Sequence, residues 1–210
     1  MPAKTASAYE PRKTPVQARA AVTVEAICEA TIQVLLSHGA DKLTTTRVAE
    51  RAGVSVGTLY QYYPNKVSLL AAVYENHFNE VTVAMETACK EAHGKPLAEM
   101  IHDIVIAFVD IKMKRSDISA ALYKVSLDIG GPAIAKRAIQ RMRKAADAMI
   151  QTAPNSDPPD KLAVDVMFAA MSGVMRTVLE SGASPALIRN MRDELVLLCQ
   201  SYLAAAQRRR

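Results

Sequence analysis

The 210-residue sequence predicts an all-helical protein of about nine helices. Half of its residues are hydrophobic, yet only 5% are aromatic and Trp is absent, so Ala, Leu, Met and Ile must fill the core. Apolar residues recur at three- and four-residue steps, and no sustained two-residue alternation bounded by hairpin turns marks a strand. Gly and Pro fall at intervals that suit helix ends.

The elements follow in order. Residues 1–15, with Pro2, Pro11 and Pro15 around Arg12-Lys13, read as a mobile basic arm. From Val16 to His38 an apolar stripe of Val24, Ile27, Cys28, Thr31, Val34 and Leu35 predicts an amphipathic helix closed by Gly39. Thr44 is placed to cap a short second helix that ends at Gly53, and Ser55 to cap a third running through Val56–Tyr63. Pro64-Asn65 breaks the chain, and Asn65 can cap a long helix from Lys66 to about His93. Further helices are expected from Pro96 to about Lys114, Asp117 to Leu127, and Pro132 to about Gln151. After a loop at 153–160, Asp157-Pro158 opens a helix to about Glu180, and Ser184-Pro185 opens the last, to about Ala206.

The net charge is +5, and residues 1–66 hold eight Lys and Arg against five acids, so the N-terminal third carries more than half of the excess. Such a balance permits phosphate binding without demanding it. Cys28, Cys89 and Cys199 lie far apart, which predicts buried, reduced thiols rather than a disulfide or metal framework. Unbroken apolar runs are too short for a membrane span, and Met1-Pro2-Ala3-Lys4 opens no secretory signal, so a soluble cytoplasmic protein is expected. His38, His77, His93 and His102 form no metal spacing with Cys or carboxylates, and no nucleophile elbow or phosphate-cradling loop occurs. Neither a cofactor nor a metal is expected, and the chain reads as no enzyme.

One segment does carry chemistry. Over Thr45–Pro64, two helices about a tight turn must cross steeply for the second to enter a major groove. Ala49 is small enough for close approach, Gly53 suits a turn with positive φ, and Val48, Ala52, Val54 and Leu59 can pin the pair. Thr58, Tyr60, Gln61 and Tyr62 then offer hydroxyl and amide groups to phosphates and base edges, while Val56 and Gly57 permit close approach to a thymine methyl. Lys66, opening the next helix, suits a phosphate. Leu59 and Tyr63, four residues apart, are expected in the core.

From Val16 to about His77 the sequence resembles the tetracycline-repressor (TetR) family. The likeness lies in His38-Gly39-Ala40, in Leu43-Thr44-Thr45-Thr46-Arg47-Val48-Ala49-Glu50-Arg51-Ala52-Gly53-Val54-Ser55, and in Val56-Gly57-Thr58-Leu59-Tyr60-Gln61-Tyr62-Tyr63-Pro64-Asn65-Lys66 with Leu69-Leu70. The resemblance implies DNA contacts at Thr45, Thr46, Val56, Gly57, Thr58, Tyr60, Tyr62 and Lys66, beside the Ser55 cap. Some family members carry Arg at the position of Thr46 or Gln at that of Val56; this chain has neither, which leaves Arg47 or Gln61 to take over base reading. It also implies a DNA-binding domain over 16–66 and a helical effector-binding and dimerisation domain over 67–210. The function so implied is a dimeric repressor released from a palindromic operator in double-stranded DNA by a small-molecule effector.

In the C-terminal part, Ile188, Met191, Leu195, Leu198 and Tyr202 step by three and four, as on a helix packed along a partner. With Met167, Met171, Val174 and Val178 of the preceding helix they suggest a four-helix homodimer interface; an intramolecular hairpin core would show the same stripe. The effector pocket implied by the resemblance has Met100, Ile104, Phe108, Tyr123, Met142, Phe168 and Met175 as candidate lining residues, a set suited to a largely apolar molecule. Two other classes compete with this reading: a helical protein-interaction module, and an enzyme carrying an incidental helix-turn-helix.

Overall fold

The computed structural model describes residues 18–154, 157–182 and 184–209. The arm expected over 1–15 and the start of the first helix at Val16 lie outside the described residues. Nine helices and no strand occur among the described residues: α1 (Ala18–His38), α2 (Thr45–Ala52), α3 (Val56–Tyr62), α4 (Lys66–Glu91), α5 (Leu97–Lys114), α6 (Ser116–Val125), α7 (Gly131–Ile150), α8 (Lys161–Ser181) and α9 (Pro185–Gln207).

The chain divides into two compact units. The first runs to His77 and takes in Ala121–Ala135; the second comprises Phe78–Ala120 and the chain from Lys136 onward. The division falls inside α4, between His77 and Phe78, rather than at the start of that helix.

In the first unit α2 packs on α1 and α3 packs on α2. Ile27, Val34 and Leu35 of α1 bury the predicted stripe, and Val48 and Ala49 of α2 and Leu59 of α3 are buried with almost no exposure. In the second unit α5 packs against α8 and α9, which also pack on each other. Gln200 of α9 donates from Nε2 to the Ala98 carbonyl at 2.7 Å, tying the C-terminal helix to the first turn of α5.

Most helix boundaries fall within two residues of the sequence expectation, and two of the differences have a visible cause. Helix α8 begins at Lys161 because Asp160, not Asp157, is its cap, accepting the Ala163 N–H at 2.9 Å. Helix α6 stops at Val125, leaving Leu127 79% exposed in the turn that follows. That turn explains Gly131, where a Cβ would lie 2.5 Å from the Ser126 carbonyl oxygen.

By length and mean hydropathy, Ala20–His38 and Lys161–Ser181 would each be apolar enough to cross a membrane, which unbroken apolar runs did not reveal. Each buries one side in the protein: α1 buries Ile27, Ala30 and Val34 and α8 buries Val164, Met167 and Met171, while Glu29 and Glu180 stay exposed.

All three cysteines are buried and free. Burial pushes the Cys89 thiol up to about 12 and Cys199 up to about 11, and raises Cys28 as well, so they stay protonated.

Lys112, on α5, is buried, its ammonium 4.6 Å from the Phe78 ring centroid. Burial pushes its pKa down to about 8 from the ordinary 10.5. Between those values the unfolded chain holds a proton that the folded chain has released, so this group's contribution to stability rises with pH through that window. The whole rise is at most roughly 3 kcal/mol. Urea unfolding of the wild type and Lys112→Met should therefore shift in favour of the wild type between about pH 7.5 and pH 10. A constant difference would show that the buried amine does not titrate there.

Candidate nucleic-acid interface

Helices α2 and α3 are fixed by their ends. Thr44 Oγ1 accepts the Arg47 N–H at 3.2 Å, and α2 closes at Gly53 with φ 67° and ψ 28°. That left-handed conformation strains any residue with a Cβ, so glycine sets the turn. Ser55 Oγ accepts the Thr58 N–H at 3.0 Å and lies 2.8 Å from Thr58 Oγ1. After α3, Asn65 Oδ1 accepts the Ser68 N–H at 2.8 Å while Ser68 Oγ accepts the Asn65 N–H at 3.3 Å, a reciprocal cap opening α4.

Helix α3 has one fully buried side chain, Leu59, and Tyr63 just beyond its end is buried too. Both therefore lie in the core, as expected. Opposite Leu59, Gly57, Tyr60 and Gln61 form an exposed face at three- and four-residue spacing, with Ser55 exposed ahead of them. Val56, Thr58 and Tyr62 flank this face, half-buried. Thr46 and Lys66 are exposed, and half-buried Thr45 sits with Oγ1 3.1 Å from the Tyr60 hydroxyl. The structure thus gathers Thr45 and Tyr60 at one place and leaves none of the eleven candidate residues inside the core.

Arg47 points elsewhere. Its Nη1 donates to the Lys42 carbonyl at 2.5 Å, and the residue lines a cleft of about 400 Å³ with Gln33, Ser37, His38 and Arg51. Arg51 in turn donates from Nε to Gln33 Oε1.

Sequence reasoning missed the support beneath α3. The Tyr63 hydroxyl lies 3.6 Å from Cys28 Sγ, and Asn76 Nδ2 donates to the same sulfur at 3.6 Å. These contacts join α1, the end of α3 and α4 across 35 and 48 residues, so no local pattern signals them.

Residues 96–203 match the family model described as "Tetracyclin repressor-like, C-terminal domain". The chain belongs to the tetracycline repressor-like family. Residues 27–73 of this TetR-family chain also match "Bacterial regulatory proteins, tetR family". It is 37% identical over 70 residues to the HTH-type transcriptional repressor KstR of Mycolicibacterium smegmatis, covering 33% of this chain and 34% of that protein. It is 30% identical over 85 residues to the nucleoid occlusion factor SlmA of Haemophilus influenzae, covering 40% of this chain and 38% of that one. The chain thus matches little more than a third of the length of these relatives.

Solved structures agree on the fold. A TetR-family transcriptional regulator from Mesorhizobium loti superposes with a TM-score of 0.72 at 16% identity, covering 90% of this chain and 98% of that one. LfrR of Mycobacterium smegmatis, in complex with proflavine, gives 0.58 at 22% identity over 89% and 98%.

Within the TetR-family C-terminal part, Met100, Ile104, Phe108, Met142, Phe168 and Met175 are all buried in the second unit. Tyr123 is half-buried and belongs to the first unit. The dimer stripe splits. Met167, Met171 and Leu195 are taken up inside the single chain, where α8 and α9 pack together. For these three the intramolecular core is what the stripe encoded. Val174, Val178, Ile188, Met191 and Tyr202 remain half-buried, and Leu198 is exposed. Leu162, Val166, Leu187 and Leu197, which the heptad reading passed over, are exposed as well.

Proposed function

We propose that this chain is a dimeric transcriptional repressor of the cytoplasm that binds an inverted-repeat operator and is released by a small-molecule effector. The observation that carries the reading is the outward face of α3, where Gly57, Tyr60 and Gln61 stand exposed opposite a fully buried Leu59. A short helix pinned on one side and bare on the other is what a major groove accepts.

The roles follow from chemistry. Gln61 can read adenine with paired amide bonds, and Val56 can meet a thymine methyl. Hydroxyls of Thr45, Thr46, Ser55, Thr58, Tyr60 and Tyr62 reach phosphates, as does Lys66 beside the free N–H groups that open α4. Arg47, turned toward Lys42, serves the backbone rather than the bases. The two copies would join through the outward apolar side chains of α8 and α9, among them Val174, Val178, Ile188, Met191, Leu198 and Tyr202. A two-fold pair sets its recognition helices roughly one duplex turn apart, about 34–36 Å. The effector, held in the helical C-terminal part, would bias dimer arrangements that differ in this separation.

The test is an electrophoretic shift with the DNA upstream of the protein's own gene. The wild type should retain that duplex over an unrelated one, and Tyr60→Ala should weaken retention at least tenfold while thermal unfolding is unchanged. Equal retention of both duplexes by the wild type would contradict a sequence-reading role; unchanged affinity of the variant would remove Tyr60 from the interface.

A further inference from the structure

The cleft of about 400 Å³ in the first unit is lined by the last turns of α1 and by α2. Arg47 and Arg51, four residues apart on one side of α2, both reach it, and Glu50 joins them. Helix spacing offers Arg47 an acid three residues on, at Glu50, where opposite charges attract. The arginines turn elsewhere. Arg47 donates from Nη1 to the Lys42 carbonyl and Arg51 from Nε to Gln33 Oε1, both at 2.5 Å. Among the described residues neither guanidinium has an acidic partner and Glu50 has no basic one. Two cations are thus held in place on neutral oxygens with their charge uncompensated. A guanidinium has five N–H donors in a rigid fork, and each of these contacts takes one. His38 adds a further polar atom. Ser37 Oγ donates to the Gln33 carbonyl at 2.6 Å, so the proton in its 2.7 Å contact with His38 Nδ1 comes from the ring, which leaves Nε2 for a ligand.

Two guanidiniums held at one cleft with donors to spare form a receptor for an oxyanion. The neighbouring groups narrow the choice. A phosphate monoester brings three acceptor oxygens and a charge of about −1.5 to −2, enough for both forks, whereas a carboxylate brings two oxygens and one charge. Glu50 can only accept, so it opposes a bare anion but takes a hydroxyl that the same ligand carries. The volume lies near the lower end of the roughly 300–1,000 Å³ typical of small-molecule sites, which suits a sugar phosphate rather than a dinucleotide. We infer that this cleft binds a hydroxylated phosphate monoester of sugar-phosphate size, with its phosphoryl group on Arg47 and Arg51 and a hydroxyl on Glu50. The site belongs to the first unit and stands independently of the effector pocket proposed for the C-terminal part.

Isothermal titration of the full chain with ribose 5-phosphate, ribose and inorganic phosphate, at one ionic strength, tests the assignment. The ester should bind at least tenfold tighter than inorganic phosphate, and ribose should not bind. Arg51, which has no part in the DNA contacts proposed above, is the residue to vary. Arg51→Gln, checked for unchanged thermal unfolding, should lose at least tenfold in affinity for the ester. Arg51→Lys, which keeps the charge without the fork, should fall between that variant and the wild type. Glu50→Ala should close most of the gap between ester and inorganic phosphate. In the wild type the ring resonances of His38 should shift as the ester is added, while those of His93 and His102, in the second unit, stay in place. Absence of ester binding, binding undiminished in Arg51→Gln, or an unmoved His38 signal would overturn the site. Ester and inorganic phosphate bound alike by the wild type would overturn the sugar-bearing class.

Discussion

Gly57→Glu should abolish operator binding, by a hundredfold or more, without destabilising the chain. The position is helical and outward, and a Cβ there meets only Ser55 Oγ at 3.7 Å, an ordinary contact. Replacing glycine in a helix removes its excess backbone freedom, a gain of up to about 1 kcal/mol. A carboxylate in the first turn of α3 is also compatible with the helix itself. On the duplex the effect reverses. The same carboxylate would stand among phosphates on the face that Tyr60 and Gln61 share, where like charges repel and the close approach of bare backbone is lost. Thermal unfolding together with fluorescence anisotropy on a labelled upstream duplex checks both halves. Undiminished binding would mean that this face does not meet DNA.

Leu59→Ala should act in the opposite order, through the fold first. Leu59 is the one fully buried side chain of a seven-residue helix. Helices this short do not persist on hydrogen bonding alone, so packing on α2 holds α3 in place. Emptying such a site costs roughly 2–5 kcal/mol, and urea unfolding should show a loss of that size. Operator affinity should fall even where the rest of the chain remains helical. A loss under roughly 1 kcal/mol would show that α3 is held from elsewhere. The two variants touch the same helix from its two sides, one breaking the contact with DNA and the other the contact with the protein.

Much of the N-terminal unit was legible because its signals are local. Thr44, Ser55 and Asn65 cap the helices that their positions foretold, since each hydroxyl or amide meets an N–H three residues on. Gly53 was readable for a related reason: a turn with positive φ leaves few residue choices. Where two signals competed, local reading failed. Asp157-Pro158-Pro159-Asp160 offers two caps, and only the coordinates reveal that Asp160 receives the Ala163 N–H. Apolar spacing failed differently, because a stripe records burial without recording against what. Leu195, Cys199 and Leu203 face the interior of their own chain, while Leu187, Leu197 and Leu198 of the same helix lie outward. Lys112 was missed because a lysine beside Lys114 and Arg115 near a helix end is read as solvated. The clue available was its place four residues beyond Phe108, at the end of the stripe that begins with Met100.

The central claim is that α3 enters a major groove, and a photoreactive side chain at position 61 tests it most directly. With benzoylphenylalanine replacing Gln61, irradiation on the upstream duplex should yield adducts on bases at two sites about one helical turn apart, related by two-fold symmetry. A protein that still retains the duplex but forms no base adduct from that position would contradict the account.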